Sequence, residues 1–306
     1  MNHLLAIVGP TGVGKSKLAL RLAQAFDGEI VNADSRQVYR YMDIGTAKPS
    51  REELSLIPHH LIDIVTPDES FSLAQYQRLA YRAIEGIHQR DKLAILVGGS
   101  GLYIWSVLGG WGIPQVPPDM EFRHSLEEKA ARVGGGELYD ELTRVDPAAA
   151  QRIDPRNVRR TIRALEVHRE TEVPFSQLQR KEAPPFETLI VGLTAEREEL
   201  YRRIDLRVDE MIKRGLVDEV KQLVNRGYGL NLPAMSGIGY KQIGMFLKGE
   251  LTLAVAIQQI KFETHRLVRQ QYTWFQLKDD RIKWFDIQTT VDWQITAPLS
   301  RFIGAE

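Results

Sequence analysis

The sequence predicts an α/β fold, a parallel sheet core flanked by helices, with an inserted all-helical subdomain. Three observations carry that reading. Short apolar runs alternate with segments of helical period, the pattern of strands joined by crossover helices. A glycine-rich run, Gly9-Pro10-Thr11-Gly12-Val13-Gly14-Lys15-Ser16, follows the first apolar run directly. Two proline pairs, Pro117-Pro118 and Pro184-Pro185, bracket a stretch in which every periodic segment has helical spacing. Prolines end helices and stiffen linkers. The core is therefore expected at residues 1–114 and 186–306, and the helical insertion at 115–185 with its helices from about 119 to 183.

The first strand is expected at 4–8, an unbroken apolar run. The glycine-rich run after it matches G-x-x-x-x-G-K-[ST], a phosphate-binding loop, so the sheet is a P-loop core. Its glycines let the backbone curl until several N–H groups point at one anion. The helix expected at 15–26 adds the positive end of its dipole. Lys15 supplies a full charge, and Ser16 offers a hydroxyl to a magnesium ion. A bound diphosphate follows from these residues. They do not say which diphosphate, and ATP or GTP is the default.

A second strand at 29–32 leads into Asp34-Ser35-Arg36-Gln37-Val38-Tyr39. In a parallel sheet the carboxyl ends of strands face the ligand crevice, so Asp34 should look into the same cleft as Lys15. A carboxylate there can take a proton from a nucleophile, or it can cap a helix. Further strands are expected at 61–65, 93–97, 188–193 and 281–287, and helices at 73–89, 102–108, 197–213 and 252–275. In the last helix Leu253, Ile257, Ile260, Leu267 and Trp274 fall near one face, with Trp274 and Phe275 expected in the core. The strand at 93–97 runs into Gly98-Gly99-Ser100-Gly101-Leu102-Tyr103, where a nucleotide hydrolase would place an acid for magnesium. Glycines at a strand end suggest close backbone approach to a ligand. The missing acid argues for a diphosphate that departs intact.

Composition narrows the class. The 306 residues are 43% apolar, with 40 basic and 40 acidic side chains, so only local clustering can mark a nucleic-acid partner. The absence of cysteine excludes disulfides and cysteine-ligated zinc. The start has no basic segment followed by an apolar core, and no segment reaches about 18 apolar residues. A soluble, cytoplasmic protein with no membrane contact is expected.

Basic residues do cluster. Arg156, Arg159, Arg160 and Arg163 have i, i+3, i+4, i+7 spacing, opposite Val158, Ile162 and Leu165. An arginine stripe of this kind suits a phosphate backbone, although solvated helix surfaces have the same look. Arg197, Arg202, Arg203, Arg207, Lys213 and Arg214 form a looser group. Arg266, Arg269, Gln270 and Gln271 precede Tyr272-Thr273-Trp274-Phe275, an arrangement that can grip folded RNA or end a helix on the core.

In this order the blocks resemble the tRNA dimethylallyltransferases, also called tRNA isopentenyltransferases. Besides the P-loop, the Asp34 block and the Gly98 block, the resemblance rests on Pro58-His59-His60-Leu61-Ile62-Asp63 and on residues 157–166. It continues with Gly215-Leu216-Val217-Asp218-Glu219-Val220, Gly239-Tyr240-Lys241 and Arg269 through Phe275. It spans nearly the whole chain. The chain departs from the family's usual Lys-Arg-Gln before Thr-Trp-Phe, since Gln270 takes a basic position, and His265 stands where an arginine is common. The zinc finger of eukaryotic relatives is not found, as in the short bacterial form.

The resemblance implies transfer of a dimethylallyl group from dimethylallyl diphosphate to N6 of adenosine 37 in tRNA, with Mg2+ as cofactor and a monomeric enzyme. The P-loop would hold the leaving diphosphate, with Thr11 adding a hydroxyl and Arg207 clamping its other side. Asp34 would accept the proton of the adenine amine. The adenosine would be flipped out of the anticodon loop, held by Ser35, Arg36 and Gln37 and lined by Ser100. Arg123 and the arginine stripe would contact the anticodon stem-loop. Two other readings remain at this stage: a P-loop small-molecule or nucleoside kinase, and a non-catalytic RNA-binding protein with a nucleotide switch.

Overall fold

A computed structural model describes residues 2–290 and 292–304. In chain order the core begins with β1 (His3–Val8), α1 (Lys15–Ala25), β2 (Gly28–Asn32), α2 (Arg51–Leu56), β3 (His59–His60), α3 (Leu73–His88), β4 (Leu93–Val97) and α4 (Gly101–Leu108). Five helices follow, α5 (Met120–Val133), α6 (Gly136–Val145), α7 (Pro147–Ala150), α8 (Val158–Thr171) and α9 (Phe175–Leu178). The chain then returns through β5 (Glu187–Thr194), α10 (Arg197–Lys213), α11 (Leu216–Asn225), α12 (Tyr240–Leu247), α13 (Leu253–Trp274), β6 (Ile282–Asp286) and α14 (Asp292–Ile303).

The chain divides into two compact units. One comprises the residues up to Ser72, Tyr76–Leu108 and the chain from Pro184 onward; the other comprises Leu73–Gln75 and Gly109–Ala183.

The first unit is built on one sheet of order β3-β2-β4-β1-β5-β6, with every neighbouring pair parallel. β1 and β4 are buried at every position, as expected of central strands covered on both faces, and this is why their sequences are unbroken apolar runs. Because all strands point the same way, the segments after β1, β2 and β4 emerge at one edge. That edge gathers the P-loop, Asp34 and the Gly98 block.

One expected strand is corrected. Residues 61–65 are not a strand: β3 ends at His60, and Leu61 (φ 64°) and Asp63 (φ 56°) take left-handed backbone that no strand tolerates. Val65 keeps only an isolated bridge to Tyr39. The apolar stripe of α13 is also corrected. Its buried residues are Ala256, Ile260, Val268 and Gln271, whereas Trp274 is 39% exposed. Phe275 is fully buried.

The second unit packs its own apolar cluster, with Leu126, Leu138, Leu142, Ile162, Leu165 and Phe175 at its centre. Its longer stretch runs from Gly109 to Ala183, and its two stems are tied to each other. Gly112 N–H donates to the Arg180 carbonyl (2.6 Å), Glu182 N–H donates to the Gly110 carbonyl (2.9 Å), and Trp111 bridges Lys181. Among the described residues no helix is long and apolar enough to cross a membrane.

Candidate active site

The P-loop has the geometry its sequence implies. Gly9, Gly12 and Gly14 have φ of 135°, 82° and 99°, and a Cβ on Gly9 would sit 2.3 Å from the Leu193 carbonyl oxygen. Pro10 and Val13 are buried beneath the loop. Gly14 caps α1 in left-handed backbone, and no side chain caps the helix there, which leaves its first turn to an anion. Lys15 Nζ donates to the Pro10 carbonyl (2.8 Å). By surface area Lys15 is only partly covered, but protein surrounds its ammonium group. This desolvation lowers its pKa to about 7, against the raising effect of Asp34 and with a further lowering from Arg207. Desolvation likewise lowers the Arg207 pKa, again opposed by Asp34. A desolvated lysine and arginine around one carboxylate form a site prepared for more negative charge than the protein itself supplies.

Two adjoining cavities meet at these residues. The polar one, about 360 Å³, is lined by Gly12, Gly14, Lys15, Ser16, Gln37 and His59 among others. The more apolar one, about 450 Å³, is lined by Leu102, Tyr103, Ile204, Met211, Leu267 and Trp274, together with Ser35, Arg36 and Ser100. Thr11, Asp34, Thr46, Ala47, Gly99, Arg207 and Gln271 line both. The junction thus carries the carboxylate, the arginine and the P-loop threonine together.

Asp34 is not a helix cap. Its Oδ1 accepts the Arg36 N–H (2.8 Å) and its own N–H donates to Asn32 Oδ1 (3.2 Å), so a short turn fixes the carboxylate after β2. Ser35 N–H donates to Ser100 Oγ (3.0 Å), which ties that turn to the segment after β4. Arg36 Nη1 donates to the Pro233 carbonyl (3.1 Å). Gln37 spends its amide on the Thr46 (3.1 Å) and Ala47 (3.2 Å) carbonyls.

The glycines after β4 pack closely against neighbours inside the fold, and Gly99 lines both cavities as well. A Cβ on Gly98 would meet the Ala33 carbonyl oxygen at 2.1 Å, one on Gly99 would meet Gln271 Nε2 at 2.3 Å, and one on Gly101 would meet the Trp274 ring at 2.2 Å. Gln271 is the residue whose position sequence reasoning missed. It is 7% exposed, its Oε1 accepts the Thr11 N–H (2.8 Å), and its Nε2 donates to the Gly99 carbonyl (3.0 Å). It stitches the P-loop to the segment after β4. The departing residues lie elsewhere: Gln270 is exposed at the apolar cavity, and His265 stacks on Tyr201 (4.0 Å) with Asp205 at 2.9 Å.

The arginine stripe in the second unit is thinner than its spacing implies. α8 starts at Val158 with Asn157 as its cap, so Arg156 precedes the helix and pairs with Asp154 (2.7 Å). Arg163 turns inward to Glu166 (2.6 Å) and to the Pro114 and Val116 carbonyls. Arg123 forks onto the same carboxylate (2.8 and 2.7 Å). Glu166 is 2% exposed, and these hydrogen bonds hold its pKa below the usual carboxylate range against the burial that would raise it. Arg159 and Arg160 remain exposed on α8.

A parallel sheet with a phosphate-binding loop after its first strand, and a carboxylate after the next, defines a P-loop α/β protein. The family described as IPP transferase matches residues 37–278. A tRNA dimethylallyltransferase of Dehalococcoides mccartyi (strain 195) is 52% identical over 98% of this chain and 93% of its own length. One of Roseiflexus sp. (strain RS-1) is 52% identical over 90% of each chain. Among solved structures, the full-length tRNA isopentenylpyrophosphate transferase of Bacillus halodurans superposes with a TM-score of 0.73 at 42% identity, covering 100% of this chain and 97% of that one. A eukaryotic dimethylallyltransferase acting on tRNA gives a TM-score of 0.82 at 28% identity, over 99% of this chain and 78% of that one. The chain belongs to the tRNA dimethylallyltransferase family.

Proposed function

We propose that this protein transfers a dimethylallyl group from dimethylallyl diphosphate to N6 of adenosine 37 in tRNA and releases diphosphate. The observation that carries this reading is the junction of the two cavities, where Asp34, Arg207 and Thr11 of the P-loop stand between a polar cavity and an apolar chamber. The diphosphate lies in the polar cavity against the P-loop N–H groups, Lys15 and Arg207. The five-carbon chain points across the junction. The adenine, flipped out of its loop, enters the apolar cavity beside Asp34, where Ser35, Arg36 and Ser100 line its wall.

The C1–O bond of the donor breaks and its electron pair stays on the diphosphate, where Lys15, Arg207 and the Thr11 hydroxyl meet the growing charge. The N6–C1 bond forms, and Asp34 accepts the N6 proton. The adenine amine is a poor nucleophile because its lone pair is delocalised into the ring, so this proton acceptor matters. For Mg2+, the exposed Ser16 hydroxyl at the polar cavity is the kind of oxygen donor the ion accepts beside phosphate oxygens. When bound there the ion neutralises part of the diphosphate charge. The reading takes the enzyme to be a monomer that acts in the cytoplasm.

The direct test combines the protein, Mg2+, dimethylallyl diphosphate and unmodified tRNA without ATP, and examines the nucleosides by mass. One five-carbon increment on an adenosine is expected. ATP turnover without tRNA, with no modified nucleoside, would instead make the protein a P-loop kinase.

For tRNA contact, Arg159 and Arg160 are the stripe residues free of internal ion pairs in this geometry. Reversing both charges to glutamate should weaken tRNA binding at least about tenfold and reduce the slope of log K against log salt by about 2. Anisotropy titrations at several salt concentrations check this, and an unchanged slope would make them ordinary surface.

A further inference from the structure

The Gly215-Leu216-Val217-Asp218-Glu219-Val220 and Gly239-Tyr240-Lys241 blocks have no part in the chemistry above, and the fold brings them together on one loop. Glu219, in the first turn of α11, receives three successive backbone N–H groups. Asp43 (3.0 Å) and Ile44 (2.7 Å) donate to Oε2, and Gly45 (3.1 Å) donates to Oε1. The Tyr240 hydroxyl, at the start of α12, donates to the same Oε1 at 2.6 Å. Tyr240 is 1% exposed. Burial first, and then the Glu219 charge, push its phenol well above the ordinary range, so it stays a donor throughout the working pH. Its ring also closes over Gly45, where a Cβ would meet ring carbons at 2.5 and 2.6 Å.

The loop held in this way is the one that faces the substrates. Gly45, Thr46 and Ala47 line the apolar cavity, and Thr46 and Ala47 line the polar one as well. From the other side Gln37 donates to the Thr46 and Ala47 carbonyls, and Lys48 Nζ donates to the Tyr39 carbonyl (2.7 Å) and Asp43 (2.7 Å). Ala47 has φ 49°, a left-handed value that an alanine holds only when its surroundings fix it. Strained backbone at the junction, tethered from both ends, is costly unless its position matters.

We propose that Glu219 and Tyr240 are positioning residues: they clamp the loop at residues 43–47 so that it forms the wall against which the prenyl donor and the acceptor base are aligned. This deepens the functional reading above and rests on it. The clamp acts through the loop and touches neither reacting atom. Its loss should therefore fall on kcat more than on tRNA affinity.

The test uses full-length E219Q and Y240F beside the wild type. A glutamine side chain has one acceptor oxygen and turns its NH2 group against the remaining donors, so E219Q breaks the clamp while keeping its shape. Y240F removes one donor, leaves the ring over Gly45 and keeps the three backbone contacts. Amide exchange without substrates should accelerate about tenfold at residues 43–47 in E219Q and less in Y240F. Prenyl transfer kcat should drop by up to about 10²-fold in E219Q, with tRNA Kd unchanged, since a small displacement of aligned groups can cost that much. Y240F should fall between it and the wild type, and it carries the test if E219Q does not fold. Unchanged exchange, or faster exchange with kcat within twofold of the wild type, overturns the clamp alone. A wild type that transfers no prenyl group overturns the functional reading, and the clamp with it.

Discussion

Replacing Asp34 with asparagine should leave tRNA binding near the wild-type level and cut prenyl transfer by about 10²–10⁴-fold, the span that removal of a positioned general base covers. Asparagine is the informative substitution. Asp34 Oδ1 also accepts the Arg36 N–H (2.8 Å), so alanine would loosen the turn that carries Ser35 and Arg36 into the cavity wall. An asparagine oxygen keeps that bond and removes only the proton acceptor. Single-turnover rates with saturating donor and tRNA separate the two effects: the chemical step slows while the tRNA titration is unmoved. Near-normal turnover in Asp34→Asn would refute the base assignment. A large loss in Asp34→Ala beside a small one in Asp34→Asn would assign Asp34 to the turn alone.

The part of this site legible in the sequence is the part made by contiguous residues. The P-loop announces its own backbone geometry, because only glycine accepts the φ values at positions 9, 12 and 14 without strain. The parallel-sheet rule places Asp34, since its position after β2 fixes which edge it reaches. Period and flanking residues bound β4 and α10 where the structure has them. What escaped depends on partners distant in the chain. A helical wheel puts Arg163 on the face of Arg159 and Arg160, and nothing in it shows that Glu166 and the carbonyls before α5 draw that side chain inward. Gln271, beside Arg269, has the composition of an RNA contact, and only its approach to Thr11 and Gly99 shows it bridging two loops. Residues 61–65 have the apolar content of a strand, yet Leu61 and Asp63 leave extended backbone and the segment's N–H groups turn to the Gln37 and Val38 carbonyls. The Glu219 clamp joins residues from three separate blocks, and no local pattern encodes that meeting.

Lys15→Met should lower prenyl transfer by about 10²–10³-fold and weaken donor binding, since it deletes one fixed positive group from where charge develops. The same residue gives the donor affinity a pH dependence with a definite sign. In the free protein its pKa is about 7, depressed chiefly by desolvation, so near neutral pH the ammonium proton is held far less firmly than on an ordinary lysine. A diphosphate beside Nζ favours the charged form and raises that pKa. The complex then holds more protons than the free protein, and donor affinity falls as pH rises above about 7, by up to about tenfold per pH unit, until the raised pKa of the complex is reached. Calorimetry in buffers of differing ionisation enthalpy should show net proton uptake at pH 7, and Lys15→Met should remove that uptake and leave only the titration of the diphosphate itself. Unfolding cannot imitate the effect. With a native pKa of about 7 against 10.5 for an unperturbed lysine, the unfolded chain binds more protons at this residue across that window, so its contribution stabilises the fold as pH rises while donor affinity declines. Equal proton uptake in the wild type and in Lys15→Met would remove Lys15 from the diphosphate site.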